Sequence, residues 1–222
     1  MDIINVVTAR SVWLFDLAEM NPQGKKLRPG LLTWLQNKYG FERIPSSTID
    51  VDETKALVFS RGVFKNKEVV EIQIELKAYE DGLIANSISS TRDTDAFLED
   101  VLQSSSKDYE LIYRPEMIRR KLYISEVNFR SDKYLSNLNR KLSEFAAKIS
   151  ALIPGDPKPP FELGGLHFWP SQTVPDYKIL RFIIERKLNT LPSENKYFSS
   201  APLPTDDHIN MLNEFEEILR RG

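Results

Sequence analysis

The chain has 222 residues, of which 41% are hydrophobic and 28% are charged, and its formal net charge is −2. It contains no cysteine and only two histidines, which excludes disulfides, thiol nucleophiles and cysteine-ligated metal sites. The near-neutral charge excludes a protein that is basic throughout. A chain of this length buries about 70% of its unfolded surface, so it needs neither a metal nor a disulfide to fold.

The N-terminal segment lacks the pattern of a targeting or membrane segment. Residues 1–5 lack a basic segment, and Arg10 and Asp16 interrupt the apolar residues that follow. This pattern predicts neither a signal peptide nor a membrane span. We therefore expect a cytoplasmic protein with no membrane partner.

A three-strand meander is the clearest predicted element. Residues 55–64 form the first strand, and residues 68–79 alternate apolar and polar side chains, as a strand with one wet face does. Asp81 and Gly82 then predict a tight hairpin before a third strand. Pairing the apolar faces places Leu57 opposite Ile74 and leaves Ala56 opposite Glu75.

Helices and further strands complete an α+β fold with a largely antiparallel sheet. Apolar spacing predicts helices over residues 29–39, after Asp93, over 133–153 and over 206–221, and strands over 119–130, 161–169 and 177–188. Residues 192–204 are predicted as a loop, and no internal repeat is visible. The Pro- and Gly-rich segment 154–160 suggests a linker between a main domain, residues 1–153, and a C-terminal strand-strand-helix segment, residues 161–222.

One pattern resembles a nuclease site. Glu75 and Lys77 form an E-x-K pair on the wet face of the central predicted strand, where the acid would bind Mg²⁺ and the lysine would activate water. The second acid would be Asp52 or Glu53, about four residues along the strand. The alternative is a solvated strand face, which any charged strand can present by chance.

The two histidines do not form a catalytic pattern. His167 lies in an aromatic strand segment, and His208 lies on the first turn of the last helix, where we expect it to cap the helix or face solvent. No serine lies in a nucleophile elbow near either of them. The sequence predicts no cofactor and no metal.

Charge is distributed unevenly along the chain. Residues 114–148 carry nine Lys/Arg against four Asp/Glu, with tyrosines among them, whereas residues 92–110 carry six acids against two bases. Basic and aromatic side chains together suit the binding of single-stranded nucleic acid, so a nucleic-acid-binding module is one alternative. An electrostatic docking surface for a protein partner, or for self-association, is the other.

We interpret the chain as a non-catalytic interaction or assembly subunit of a cytoplasmic complex. The residues expected to form its docking surface are Arg119, Arg120, Lys121, Arg140 and Lys141. The apolar stripe of the helix predicted over 133–153 would suit either a partner helix or the protein's own sheet. A Mg²⁺-dependent nuclease at Glu75 and Lys77, with Asp52, remains the alternative from another functional class.

Overall fold

The computed structural model describes residues 1–24, 29–45, 56–158, 160–171, 180–187, 189–190 and 192–221. It contains an eight-stranded antiparallel sheet and four α-helices within these residues, which confirms the predicted α+β class. The chain divides into two compact units. The first unit comprises residues 8–125 with 203–205, and the second comprises residues 1–7, 126–202 and 206–222.

The same order of elements occurs twice along the chain: strand, helix, three strands, helix. The first series is β1 (Asp2–Leu14), α1 (Pro29–Tyr39), β2 (Leu57–Lys65), β3 (Glu71–Tyr79), β4 (Gly82–Ser87) and α2 (Thr91–Tyr109). The second is β5 (Arg120–Arg130), α3 (Arg140–Leu152), β6 (Gly165–Phe168), β7 (Phe182–Arg186), β8 (Lys196–Ala201) and α4 (Thr205–Arg221). The repeat lies in the order of elements, whereas the side chains differ, so the sequence alone did not reveal it.

In the first unit the strands are ordered β2-β3-β4-β1, to which β1 contributes residues 8–14, and the predicted meander is confirmed. The predicted register is wrong, because Leu57 pairs with Ala78 and Phe59 pairs with Leu76. A β-bulge between Phe59 and Gly62 shifts the pairing. A Cβ on Gly62 would lie 2.4 Å from the ring of Phe41, so only glycine fits at this bulge.

The hairpin between β3 and β4 is confirmed. Tyr79 pairs with Gly82, whose φ of +154° favours glycine. A Cβ at Gly82 would lie 2.2 Å from the carbonyl oxygen of Trp13. The turn therefore also sets how closely β1 approaches this hairpin.

Both helices of the first unit pack on one face of its strands. The alternation of β3 places Ile74 and Leu76 on the face that meets Phe97, Leu98 and the rest of α2. This core of buried hydrophobic residues comprises Trp13, Phe15, Met20, Leu35, Tyr39, Phe41, Phe59, Ile74, Leu76, Leu83, Ala85, Phe97, Leu98, Val101, Leu102 and Met117. Polar residues of β3, including Glu75 and Lys77, lie on the opposite face.

In the second unit the strands are ordered β5-β8-β7-β6. Strand β8 occupies a segment that the sequence predicted as a loop, because its inward residues Tyr197, Ser199 and Ala201 are mostly small or polar. The hydrophobic core cluster of this unit comprises Val127, Phe129, Leu135, Ile184, Tyr197, Leu212 and Leu219. None of them belongs to α3.

The long helix predicted over residues 133–153 is also corrected. Residues Leu135–Leu138 form a 3-10 helix, Asn139 is extended, and its side chain accepts a hydrogen bond from the backbone N–H of Lys141 to begin α3. Helix α3 therefore has 13 residues, or about 20 Å. The predicted linker 154–160 lies within the second unit, and the division into domains 1–153 and 161–222 stays a prediction.

No helix in the described part of the chain combines the length and the apolar character needed to cross a bilayer.

Candidate interaction surface

Helix α3 exposes large apolar side chains. Phe145 is 61% exposed, Leu152 is 84% exposed and Leu142 is 39% exposed. Their spacing of three and seven residues places them on one side of the helix. An apolar stripe of this kind normally faces a protein core, but here it faces outward.

The side of α3 that is turned inward carries three small residues and the half-buried Ile149. Ala146 is buried, and Ser143 and Ser150 on either side of it are half-buried. The backbone N–H of Phe161 donates a hydrogen bond of 2.7 Å to Ser150 Oγ and holds the end of the helix. The three- and four-residue spacing of these small residues was the one sequence signal for this orientation.

Basic residues border the exposed apolar side chains. Lys141 and Lys148 are seven residues apart and lie beside Phe145 and Leu152 on the helix surface. We call Lys141, Leu142, Phe145, Lys148 and Leu152 together the α3 surface. It combines an apolar centre with positive charge along one edge.

Helix α1 occupies the corresponding place in the first series of elements and behaves differently. Its residues Leu35 and Tyr39 are 7% and 3% exposed and belong to the core of the first unit. Tyr39 also donates a hydrogen bond of 2.7 Å to Asp100 on α2. Of these two corresponding helices, α3 is therefore the one that exposes an apolar stripe.

The predicted docking residues fall in both units. Arg140 and Lys141 are in the second unit, where Arg140 pairs with Glu144 at 3.3 Å. Arg119, Arg120 and Lys121 are in the first unit. The guanidinium of Arg119 pairs with Glu19 at 2.6 Å while its side chain stays 63% exposed.

Lys121 is also engaged within the first unit. The ammonium of Lys121 lies 3.6 Å from the centroid of the Trp13 ring, a cation–π contact. Arg120 has an interaction partner of its own. The role of the two side chains in docking stays a prediction.

The Glu75 carboxylate belongs to a polar ladder across three strands. Asn86 donates a hydrogen bond of 2.8 Å to Glu75, and Lys77 pairs with the same carboxylate oxygen at 3.2 Å. Arg10 in turn donates a hydrogen bond of 2.5 Å to Asn86. Arg10, Asn86 and Glu75 occupy directly paired positions on β1, β4 and β3.

The nuclease hypothesis lacks a second described acid. Asp52 and Glu53 lie outside the described residues, so the structure gives no distance from either to Glu75. In the described ranges no group of three or more His, Asp or Glu side chains could hold a metal ion. The neighbours of Glu75 that the structure shows are hydrogen-bonding and ion-pairing partners, and the hypothesis stays untested.

His208 is buried, which corrects the expectation that it caps the helix or faces solvent. It is 0% exposed, and its Nε2 lies 2.8 Å from Ser199 Oγ, which donates to the carbonyl of Ile183. No described residue bonds its Nδ1. Burial lowers the pKa of His208 to about 4, so it is neutral at pH 7.

The distance between Ser199 and His208 is that of a nucleophile and its general base, but solvent and substrate have no access to either side chain. Both side chains are fully buried in the second unit, and the serine hydroxyl is already hydrogen-bonded to backbone. The other histidine, His167, lies 3.8 Å from Glu185 on the neighbouring strand. Neither histidine assembles a catalytic arrangement with other described residues.

Comparisons with known proteins assign no family. No protein-family model matches the chain, and no curated protein matches it. Among solved structures, the chain is similar to Methanococcus jannaschii TBP, with a TM-score of 0.41 and 11% sequence identity over 100% of this chain and 98% of that chain. A likeness this weak supports no conclusion about function.

Proposed function

We propose that this chain is a non-catalytic interaction or assembly subunit that binds a protein partner through the α3 surface. The observation that carries the proposal is the exposure of Phe145 and Leu152 on a helix whose one buried residue is Ala146. Arg119, Arg120, Lys121, Arg140 and Lys141 are proposed to attract the partner electrostatically.

The energetics favour such a role. Burying a Phe or Leu side chain contributes about 1.5–3 kcal/mol, and the exposed parts of Phe145 and Leu152 contribute little to the folding of the chain itself. Aromatic residues at the centre of an interface commonly supply a large share of its binding energy. The exposed apolar area of the α3 surface would therefore contribute free energy when a second molecule buries it.

Charge decides between kinds of partner. Lys141 and Lys148 border the apolar side chains, so a matching surface is apolar with acidic residues at its edge. Two α3 surfaces facing each other would bring like charges together, which disfavours a symmetric dimer through this helix. The proposed partner is a different protein with an acidic rim.

The test places a photo-crosslinking amino acid, p-benzoylphenylalanine, at position 145 in cells of the source organism. The control places it at Ile218 on α4, which is 56% exposed. We expect one protein adduct from position 145 and none of that mass from position 218. In the Lys141→Glu/Lys148→Glu background the adduct should be lost while circular dichroism shows an unchanged fold.

Three outcomes would contradict the proposal: no adduct at position 145, an adduct that charge reversal leaves unchanged, or an adduct between two copies of this chain. An adduct sensitive to nuclease would favour nucleic-acid binding instead. With the partner purified, Phe145→Ala should weaken binding at least about tenfold. The same variant should change the free energy of unfolding by less than about 0.5 kcal/mol.

A further inference from the structure

The first unit contains an apolar cleft of about 650 Å³. Its floor is the helix-facing side of the sheet, formed by Phe59, Leu76 and Leu83. Helices α1 and α2 form two of its sides. Further apolar residues that line it include Leu31, Leu32, Leu57 and Ala78.

A cleft of this size is not an ordinary packing defect. Protein interiors are close-packed, and voids larger than a water molecule are few. Small-molecule sites have volumes of roughly 300–1,000 Å³ and mostly apolar linings with a few polar groups. Half-buried leucines such as Leu31, Leu32 and Leu57 leave apolar surface that an apolar ligand would remove from water.

The charged groups of the described lining are acceptors. Asp16 and Glu80 are its two acidic lining residues, and no described lining residue is basic. One carboxylate oxygen of Asp16 accepts a hydrogen bond of 2.9 Å from the backbone N–H of Ala18. Ser105 Oγ donates to the carbonyl of Leu102. The described lining therefore suits a hydrogen-bond donor and repels an anion.

We infer that this cleft is a binding site for a small apolar molecule that ends in a hydrogen-bond donor, such as an amine or a hydroxyl. The ligand's apolar body would lie against Leu76 and Leu83, and its donor would meet Asp16 or Glu80. The site lies in the first unit and uses no residue of the α3 surface. The inference is therefore independent of the proposed function.

The experiment titrates purified protein with N-phenyl-1-naphthylamine, a neutral apolar fluorophore with one N–H donor. We expect saturable binding at one site per chain, and binding of the anionic probe 1-anilinonaphthalene-8-sulfonate at least tenfold weaker. Ala78→Phe places a ring on the cleft floor and should abolish binding. Ala96→Phe on α2 is the matched control, because Ala96 does not line the cleft, and it should bind as the unmodified protein does.

Near-UV circular dichroism checks that both variants fold, and Leu32→Trp on the α1 side offers a second block. Glu80→Gln removes a negative charge from the lining, so it should reduce the difference in affinity between the neutral and anionic probes. The site would be overturned if the unmodified protein showed no saturable binding. It would also be overturned if the folded Ala78→Phe and Leu32→Trp variants bound the fluorophore as tightly as the unmodified protein does. Equal affinity of the unmodified protein for the two probes would overturn the assigned ligand chemistry.

Discussion

His208 shows how one residue of the second unit is controlled by its surroundings. Its ring is fully buried, meets the edge of Phe182 and makes one hydrogen bond, to Ser199. No described carboxylate offsets the loss of water around it, so burial holds its pKa at about 4 against an ordinary 6.5. The folded protein therefore resists protonation of this ring.

This residue predicts a pH dependence of stability. Between pH 6.5 and 4 the unfolded chain binds a proton at His208 and the folded chain does not, so stability is full above pH 6.5 and falls as the pH is lowered. A shift of this size corresponds to a loss of about 3 kcal/mol at pH 4. Urea unfolding from pH 4 to 8 measures it.

His208→Gln keeps a side-chain amide that can donate to Ser199 but cannot titrate. We expect this variant to lose the component of the pH dependence that belongs to His208, whereas His167→Gln should keep it. An identical slope in the unmodified protein and His208→Gln would show that other groups cause the acid sensitivity.

At the scale of elements, the acidic side chains of α2 make hydrogen bonds within their own unit. Four of its carboxylates accept hydrogen bonds from aromatic side chains: Asp95 from Trp13 and Tyr123, Glu99 from Tyr113, Asp100 from Tyr39, and Asp108 from Trp34. Burial and these bonds raise the pKa of Tyr39, Tyr113 and Tyr123. The acidic segment is therefore engaged with aromatic residues of its own unit.

For this helix, we expect the largest change in the free energy of unfolding when Asp95 is replaced. Its two oxygens accept bonds of 2.8 Å from Trp13 Nε1 and 2.9 Å from Tyr123 Oη, and Trp13 is 1% exposed. Asp95→Ala leaves a buried indole N–H without an acceptor, so we expect a loss of about 2–3 kcal/mol in the free energy of unfolding. Chemical denaturation measures it.

The matched control is Glu214→Ala on α4, an exposed acid, which should change stability by less than about 0.5 kcal/mol. Tyr123→Phe should reproduce only part of the Asp95→Ala effect, since the indole bond remains. Equal losses for Asp95→Ala and Glu214→Ala would show that the aromatic bonds contribute nothing beyond surface charge.

For the whole molecule, one order of elements occurs twice but supports two unequal cores. In the described residues the first unit buries sixteen hydrophobic residues in its core cluster and the second buries seven. Helix α1 contributes Leu35 and Tyr39 to the first core cluster, whereas no residue of α3 belongs to the second, and α3 exposes Phe145 and Leu152. The smaller core should have the lower local stability.

Native-state hydrogen exchange tests this difference. Amides of β3 and β4 should exchange at least about tenfold more slowly than those of β6 and β7, a gap of about 1.4 kcal/mol in opening free energy. The second unit would then be the part of the protein that opens first. Equal protection in the two pairs of strands would mean that the two units open together.

Much of the fold followed from the sequence because local patterns specify local elements. Alternating side chains gave the meander, Gly82 gave its hairpin, and helical spacing gave α1 and α4 close to their observed bounds. Strand β8 was missed because its inward Ser199 is polar, and its burial depends on hydrogen bonds to the neighbouring strand and to α4. The register of β2 was missed because the loop before β3 extends to Val70, whose backbone N–H donates to the Asn66 side chain, whereas the sequence predicted the strand from residue 68.

The sequence by itself determined the α+β class, the helical stripe of α3 and the positions of the basic residues. Tertiary structure decided which side of α3 faces out, that His208 is buried, and that Glu75 bonds Asn86. It also formed the apolar cleft. The physical reason is that periodicity specifies which residues share a face, whereas the neighbours of that face come from segments distant in the chain.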